Sequence, residues 1–154
     1  MKTLIECIIQ ESGNTICKEE EGKKICFVYD EYEMVCDAVP IDKCVFNKVK
    51  GVRKCDFLFL FDKNKQKYMI LDKSIAYYVE LKGVDLIYAC EQIWNSIDKT
   101  KDQIEEFDIN AIVVSSRAFI PKYDNNEFYR SVKRLIKKNI QFRLTPFIVE
   151  KFKI

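Results

Sequence analysis

The clearest pattern along the chain is DFLFLFD at 56–62, five consecutive apolar residues between two aspartates, which reads as a short buried strand with Asn64 in the turn after it. KYMILD (67–72) and IAYYVELK (75–82) read as two further strands, and Gly83 then breaks the pattern. From Val84 to about Lys101, Leu86, Cys90, Ile93, Trp94 and Ile97 recur at helical spacing and predict an amphipathic helix. INAIVVSS (109–116) is β-branched and almost wholly apolar, as a strand covered on both faces would be. Asp124 and Glu127 make a capping-box-like start to a second helix with Phe128, Val132, Leu135 and Ile136 on its apolar face. A last strand is expected over 141–149.

Before residue 56 the pattern is weaker. An element at about 3–10 fits helix or strand equally, and β-rich runs predict short strands near 24–29 and 33–39. Strands and helices in this order imply an α/β fold, a mixed central sheet flanked by helices. No repeat or low-complexity segment appears, and 4 Gly and 3 Pro leave no linker. A single domain over 1–154 is expected, with its core at about 42–116 and a basic helix and final strand over 117–154.

The seven cysteines are odd in number and irregularly spaced, lack a CxxC pair, and have no histidine to join them in a zinc site. They read as reduced, buried thiols, which points to the cytoplasm. The opening MKTLIECIIQ is too short, with Glu6 too early, for a secretory signal. No apolar run approaches the roughly 20 residues of a membrane span, so a soluble protein without a membrane partner is expected.

The net charge of +2 hides an asymmetry. Residues 117–154 hold 10 Lys/Arg against 3 Asp/Glu, while 1–116 hold 16 against 21. Arg117, Arg130, Lys133, Arg134 and Lys137 are candidates to meet a phosphate backbone; a solvated basic helix explains the same stripe.

Chemistry concentrates at Asp56 and at Glu80-Leu81-Lys82-Gly83. Strand alternation puts Glu80 and Lys82 on one face, roughly 6.5–7 Å apart. A hairpin-like return would bring Asp56, at one strand's start, beside Glu80, near another's end. Two carboxylates and an ammonium suit phosphodiester cleavage: the carboxylates bind Mg²⁺ or Mn²⁺, and the lysine orients water or neutralises developing charge. An ExK on a strand is otherwise a solvated face or an ion pair. Charges at the ends of such apolar strands cost free energy unless paired or used.

The stretch CDFLFLFD…YYVELKGVDLIYACEQI resembles the core of the PD-(D/E)xK nuclease superfamily, with its restriction-endonuclease-like fold. The resemblance implies metal ligation by Asp56, Glu80 and the Leu81 carbonyl, with Lys82 as catalytic lysine and Gln92 as the glutamine often found on the following helix. Cys55 stands where the motif has proline. An additional N-terminal acid could come from Glu6, Glu20, Glu33 or Asp42, of which Asp42 is favoured. The implied activity is a metal-dependent endonuclease, on DNA more than RNA. The sequence reads as a bare core with no obvious specificity domain, so a homodimer or a protein partner is expected. The alternative is a non-catalytic nucleic-acid-binding or protein-interaction module on the same fold.

Other features read more plainly. Tyr77 and Tyr78 are the aromatics expected nearest a bound strand, and Trp94 belongs to the core. Ser115 and Ser116 fit a strand-ending loop better than a backbone contact, and no serine has a histidine to activate it.

Overall fold

The fold is that of a computed structural model describing residues 1–81, 85–115, 125–135, 141–143 and 147–152. It is mixed α/β, with two sheets and two α-helices among those residues. In chain order come a 3-10 turn (Ile5–Cys7), β1 (Ile9–Gly13), β2 (Thr15–Glu20), β3 (Lys23–Val28), β4 (Met34–Pro40) and a π-helical turn (Ile41–Val45). After these follow β5 (Phe57–Phe61), β6 (Ser74–Glu80), α1 (Leu86–Thr100), β7 (Phe107–Val114), α2 (Glu127–Leu135), β8 (Gln141–Arg143) and β9 (Phe147–Lys151).

Six strands form the central sheet in the order β1-β4-β5-β6-β7-β8, and β2-β3-β9 form a second sheet. β1, β4, β5 and β6 pair antiparallel; β6, β7 and β8 run parallel. A parallel neighbour needs a crossover, and α1 supplies it between β6 and β7. The central sheet has a different core on each face. Leu58, Leu60, Ala76, Tyr78, Ala111 and Val113 pack under the helices. Phe57, Phe59, Phe61, Tyr77, Val79 and Ile112 pack against Ile16, Ile25 and Phe27 of the second sheet. Burial on both faces is why β5 is apolar at every position.

The α1 stripe Leu86, Ala89, Cys90, Ile93, Ile97 meets the sheet, and Asp85 caps the helix by accepting from the N–H of Ile87 (2.9 Å) and Tyr88 (3.1 Å). Trp94 is half-buried against that core, as expected. At the start of α2 the cap is Asn126, whose Oδ1 accepts from the Tyr129 N–H at 3.0 Å. Asp124 lies outside the described residues, as do the side chain of Leu135 and all of Ile136.

Several expectations need correction. Residues 67–72 are not a strand: the Gln66 amide exchanges hydrogen bonds with the Val35 backbone, and the chain crosses there as an irregular excursion from β5 to β6. The last strand is two, β8 in the central sheet and β9 beside β3, with Pro146 in the interval between them. The segment at 3–10 holds both a 3-10 turn and the start of β1, and β2 is a strand that the apolar pattern does not mark. Glu21 and Gly22, with φ of 48° and 74°, close the β2–β3 hairpin in two residues, the left-handed pair that such loops require.

Four of the cysteines are not free. Cys7 bonds Cys44 and Cys17 bonds Cys26, the second pair directly opposed in the β2–β3 register. This removes the thiol argument for the cytoplasm, because disulfides persist in oxidising surroundings. Cys36, Cys55 and Cys90 are buried thiols, in keeping with their apolar settings. No helix among the described residues is long and apolar enough to cross a membrane.

Candidate functional site

The β5–β6 register pairs Phe57 with Val79, and continuing it by one residue sets Asp56 opposite Glu80. Side chains alternate along a strand, so Asp56 shares a face with Leu58 and Leu60, and Glu80 with Tyr78 and Ala76. Asp56 accordingly lines a cleft with Tyr88 and Gln92 of α1, and alternation in β6 gives Glu80 the face of Tyr78 and Ala76. In a regular antiparallel pair, directly opposed residues hold their Cβ atoms about 4.5–5.5 Å apart. Asp56 and Glu80 are both buried, at 3% and 1% exposure. Asp56 Oδ2 accepts from the Leu81 N–H at 2.8 Å, which fixes its rotamer and joins the two strand ends.

Asp42 arrives from the neighbouring strand. The Ile41 N–H donates to the Asp56 carbonyl at 3.0 Å, so the π-turn carrying Asp42 starts beside Asp56. A cleft of about 400 Å³ opens here, lined by Asp42, Arg53, Lys54, Asp56, Tyr88 and Gln92 among others. Of the other candidate acids, Glu20 is held beside the Asp42 turn by Lys43, while Glu6 and Glu33 lie elsewhere. Glu6 accepts from Thr3, and exposed Glu33 borders a different hollow with Tyr32 and Tyr68.

The approach to Asp56 is held by α1. Gln92 Nε2 donates to the Lys54 carbonyl at 2.9 Å, and Ser96 Oγ accepts from the Cys55 N–H at 3.0 Å while donating to the Gln92 carbonyl. Gln92 is thus at the site, but its amide nitrogen serves as a clamp on the backbone that enters Asp56. The Cys55 thiol reports on the acids around it. Burial pushes its pKa well up, the Ser96 hydrogen bond opposes this, and the charges of Glu80, Asp56 and Asp42 raise it further.

The Leu81 side chain is buried in the opposite core, between the sheets, and its N–H is the donor to Asp56. Lys82, Arg117, Ser116 and Lys137 lie outside the described residues, while Arg130, Lys133 and Arg134 are exposed on α2. Ser115 is fully buried at the end of β7. Tyr77 and Tyr78 are not strand-facing aromatics. Tyr78 is sealed under α1 with its hydroxyl 2.7 Å from Thr100 Oγ1, and Tyr77 sits between the sheets with its hydroxyl toward Glu150. The exposed aromatic at the cleft is Tyr88, on α1 but off the apolar stripe. Its place in the helical period, two residues after Leu86, is the sequence signal that marks it as outward-facing.

Among the described residues no three of His, Cys, Asp and Glu form a ready-made metal cage. The donors at the corner are carboxylate oxygens without thiolate or imidazole. They fit a hard cation that keeps most of its water and takes one or two carboxylates. Comparison of the chain with family models, curated proteins and solved structures finds no match.

Proposed function

We propose that this chain is a metal-dependent phosphodiesterase on a restriction-endonuclease-like fold, cleaving nucleic acid, with DNA the favoured substrate. The observation that carries the reading is Asp56 facing Glu80 at the ends of adjacent strands, buried, on the side where the cleft opens. Two buried carboxylates set against each other cost free energy unless positive charge offsets them. Asp56 and Glu80 are the proposed metal ligands, with Asp42 and the Leu81 carbonyl as further oxygens. Mg²⁺ or Mn²⁺ held there would polarise a phosphoryl group and acidify water at neutral pH.

The chain's own residues do the rest. The Leu81 N–H holds Asp56 in one rotamer, and Gln92 and Ser96 hold the backbone that leads into it. Lys82 is proposed to orient the attacking water and to neutralise charge as it develops on the phosphoryl oxygens. The water oxygen bonds to phosphorus, the bridging P–O bond breaks, and the products are a phosphate monoester and an alcohol. A homodimer or a protein partner is proposed for substrate selection.

The test is cleavage of plasmid and single-stranded DNA by the purified chain. Mg²⁺ or Mn²⁺ should support cutting, chelation should stop it, and Ca²⁺ should support little turnover because its looser geometry positions water and phosphate poorly. Inertness on DNA and RNA with every divalent ion, together with no metal binding in a calorimeter, would reject the reading.

α2 is proposed to hold the phosphate backbone through Arg130, Lys133 and Arg134, with Arg117 and Lys137. Changing Arg130, Lys133 and Arg134 together to glutamine should weaken binding on every sequence. It should also flatten the salt dependence by roughly one unit of slope for each phosphate no longer neutralised. Unchanged affinity and slope would reduce the stripe to a solvated face.

A further inference from the structure

We infer that the cleft beside Asp56 takes an unpaired DNA strand, with Tyr88 stacking one base and the basic loop 47–54 holding the adjoining phosphates. This builds on the proposed reading of the cleft as a nucleic-acid site and adds the kind of strand that enters it.

The loop NKVKGVRK joins the π-turn to the strand end at Asp56; it carries four cations and no acid. Lys54 is turned inward and donates to the carbonyls of Phe46 and Val49, which cinches the loop into a defined lip. Gly51, with φ of 76°, turns the lip through a backbone conformation that other residues adopt only with strain. Lys48, Lys50 and Arg53 are left exposed on it. Their charge is complementary to a phosphate chain and opposite in sign to the carboxylates at the cleft floor.

Tyr88 lines the same cleft as this lip and is 42% exposed. The Arg53 guanidinium lies 4.4 Å from the centre of its ring and is ion-paired with Glu91, so cation and ring are held as one unit. Glu91 offsets part of the Arg53 charge and leaves Lys48 and Lys50 as the main phosphate attraction. A tyrosine kept out of the core, in a cleft lined by Asp42 and Asp56, has the guanidinium over its ring and 42% of its surface open to solvent. That is a platform for a base. A base inside a duplex is already stacked and cannot use it, whereas an unpaired base can, whatever its identity. The cleft volume of about 400 Å³ is that of a small-ligand pocket, the scale of a nucleotide rather than the flank of a duplex.

The test is fluorescence anisotropy with a labelled single-stranded oligonucleotide, the same sequence as a blunt duplex, and the same strand with abasic positions, all in Ca²⁺ to hold turnover down. Wild type should favour the single strand over the duplex by roughly ten-fold or more, in line with base–aromatic stacking. Tyr88→Ala should lose that margin on the single strand and leave the duplex unchanged, while Tyr88→Phe should keep it. Abasic positions should reproduce the Tyr88→Ala loss in wild type. A melting temperature equal to wild type would show that Tyr88→Ala is folded. If Tyr88→Ala binds the single strand as wild type does, or loses single strand and duplex equally, the inference is overturned. Tyr88-dependent strand binding with neither Mg²⁺-dependent cutting nor metal binding would keep this inference and end the phosphodiesterase reading. Cutting with Tyr88-independent binding would do the reverse.

Discussion

Asp56→Asn and Glu80→Gln should each abolish Mg²⁺-supported cleavage while leaving the protein folded. The expectation follows from how the two groups are held. Asn at 56 keeps an oxygen that can accept from the Leu81 N–H, now made at 2.8 Å, so the strand-end hydrogen bond survives while the negative charge is removed. Gln at 80 likewise keeps the shape and loses the charge. Metal-assisted stabilisation is worth several kcal/mol in the transition state, so activity should fall on the order of 10³-fold or more. Lys82→Ala should leave metal affinity close to wild type and lower turnover by roughly 10²-fold, the size of a general-base or electrostatic contribution. Cleavage rates are read beside circular dichroism and melting temperature. If all three variants cut at the wild-type rate with intact folds, the activity belongs to another site.

The largest stability effect should come from the packing between the two sheets. Phe27 is fully buried, and its ring centroid lies 4.8 Å from Phe59, 5.0 Å from Phe61 and 5.0 Å from Tyr77. Phe27→Ala removes this centre and leaves a cavity that rigid strands on both sides cannot close. A loss of about 3–5 kcal/mol is expected, a large share of the total for a domain of ordinary stability. Urea unfolding with the disulfides intact measures it as a shift in midpoint at unchanged slope. A loss below about 1 kcal/mol would mean that the second sheet contributes little to the core.

The central part of the fold is legible in the sequence because its signals are local. β5, β6, α1 and β7 each carry their own periodicity, and the apolar run of β5 signals burial on both faces without either cover being known. The second sheet is not legible. Thr15–Glu20 is mostly polar, with Ile16 its one deeply buried residue, and Glu21 occupies a turn position usually given to Asn, Asp or Gly. Its third strand comes from the far end of the chain, where Lys24 pairs with Phe147, and no local pattern encodes such a return. The disulfides are hidden for the same reason: Cys17 meets Cys26 only through hairpin register, and Cys7 meets Cys44 only once two short helical turns dock.

At the site, alternation alone puts Asp56 and Glu80 on one face, because a period of two leaves no choice once the strands are paired. Alternation also buries Tyr78 with Glu80's face under α1, where aromatic character by itself suggests substrate contact instead. Tyr88 escapes notice when a helix is read for its apolar stripe and not for the aromatic residue beside it. Gln92 and Ser96 are polar residues on that helix whose partners, Lys54 and Cys55, are about forty positions earlier. Only the tertiary fold reveals that they position Asp56.

The claim that Asp56 and Glu80 form a metal-binding corner is tested most directly by titrating Mn²⁺ into the purified protein in a calorimeter, with Asp56→Asn and Glu80→Gln beside wild type. Saturable binding to wild type, absent from both folded variants, is the expected result. No heat of binding in wild type, or equal binding by all three proteins, would contradict it.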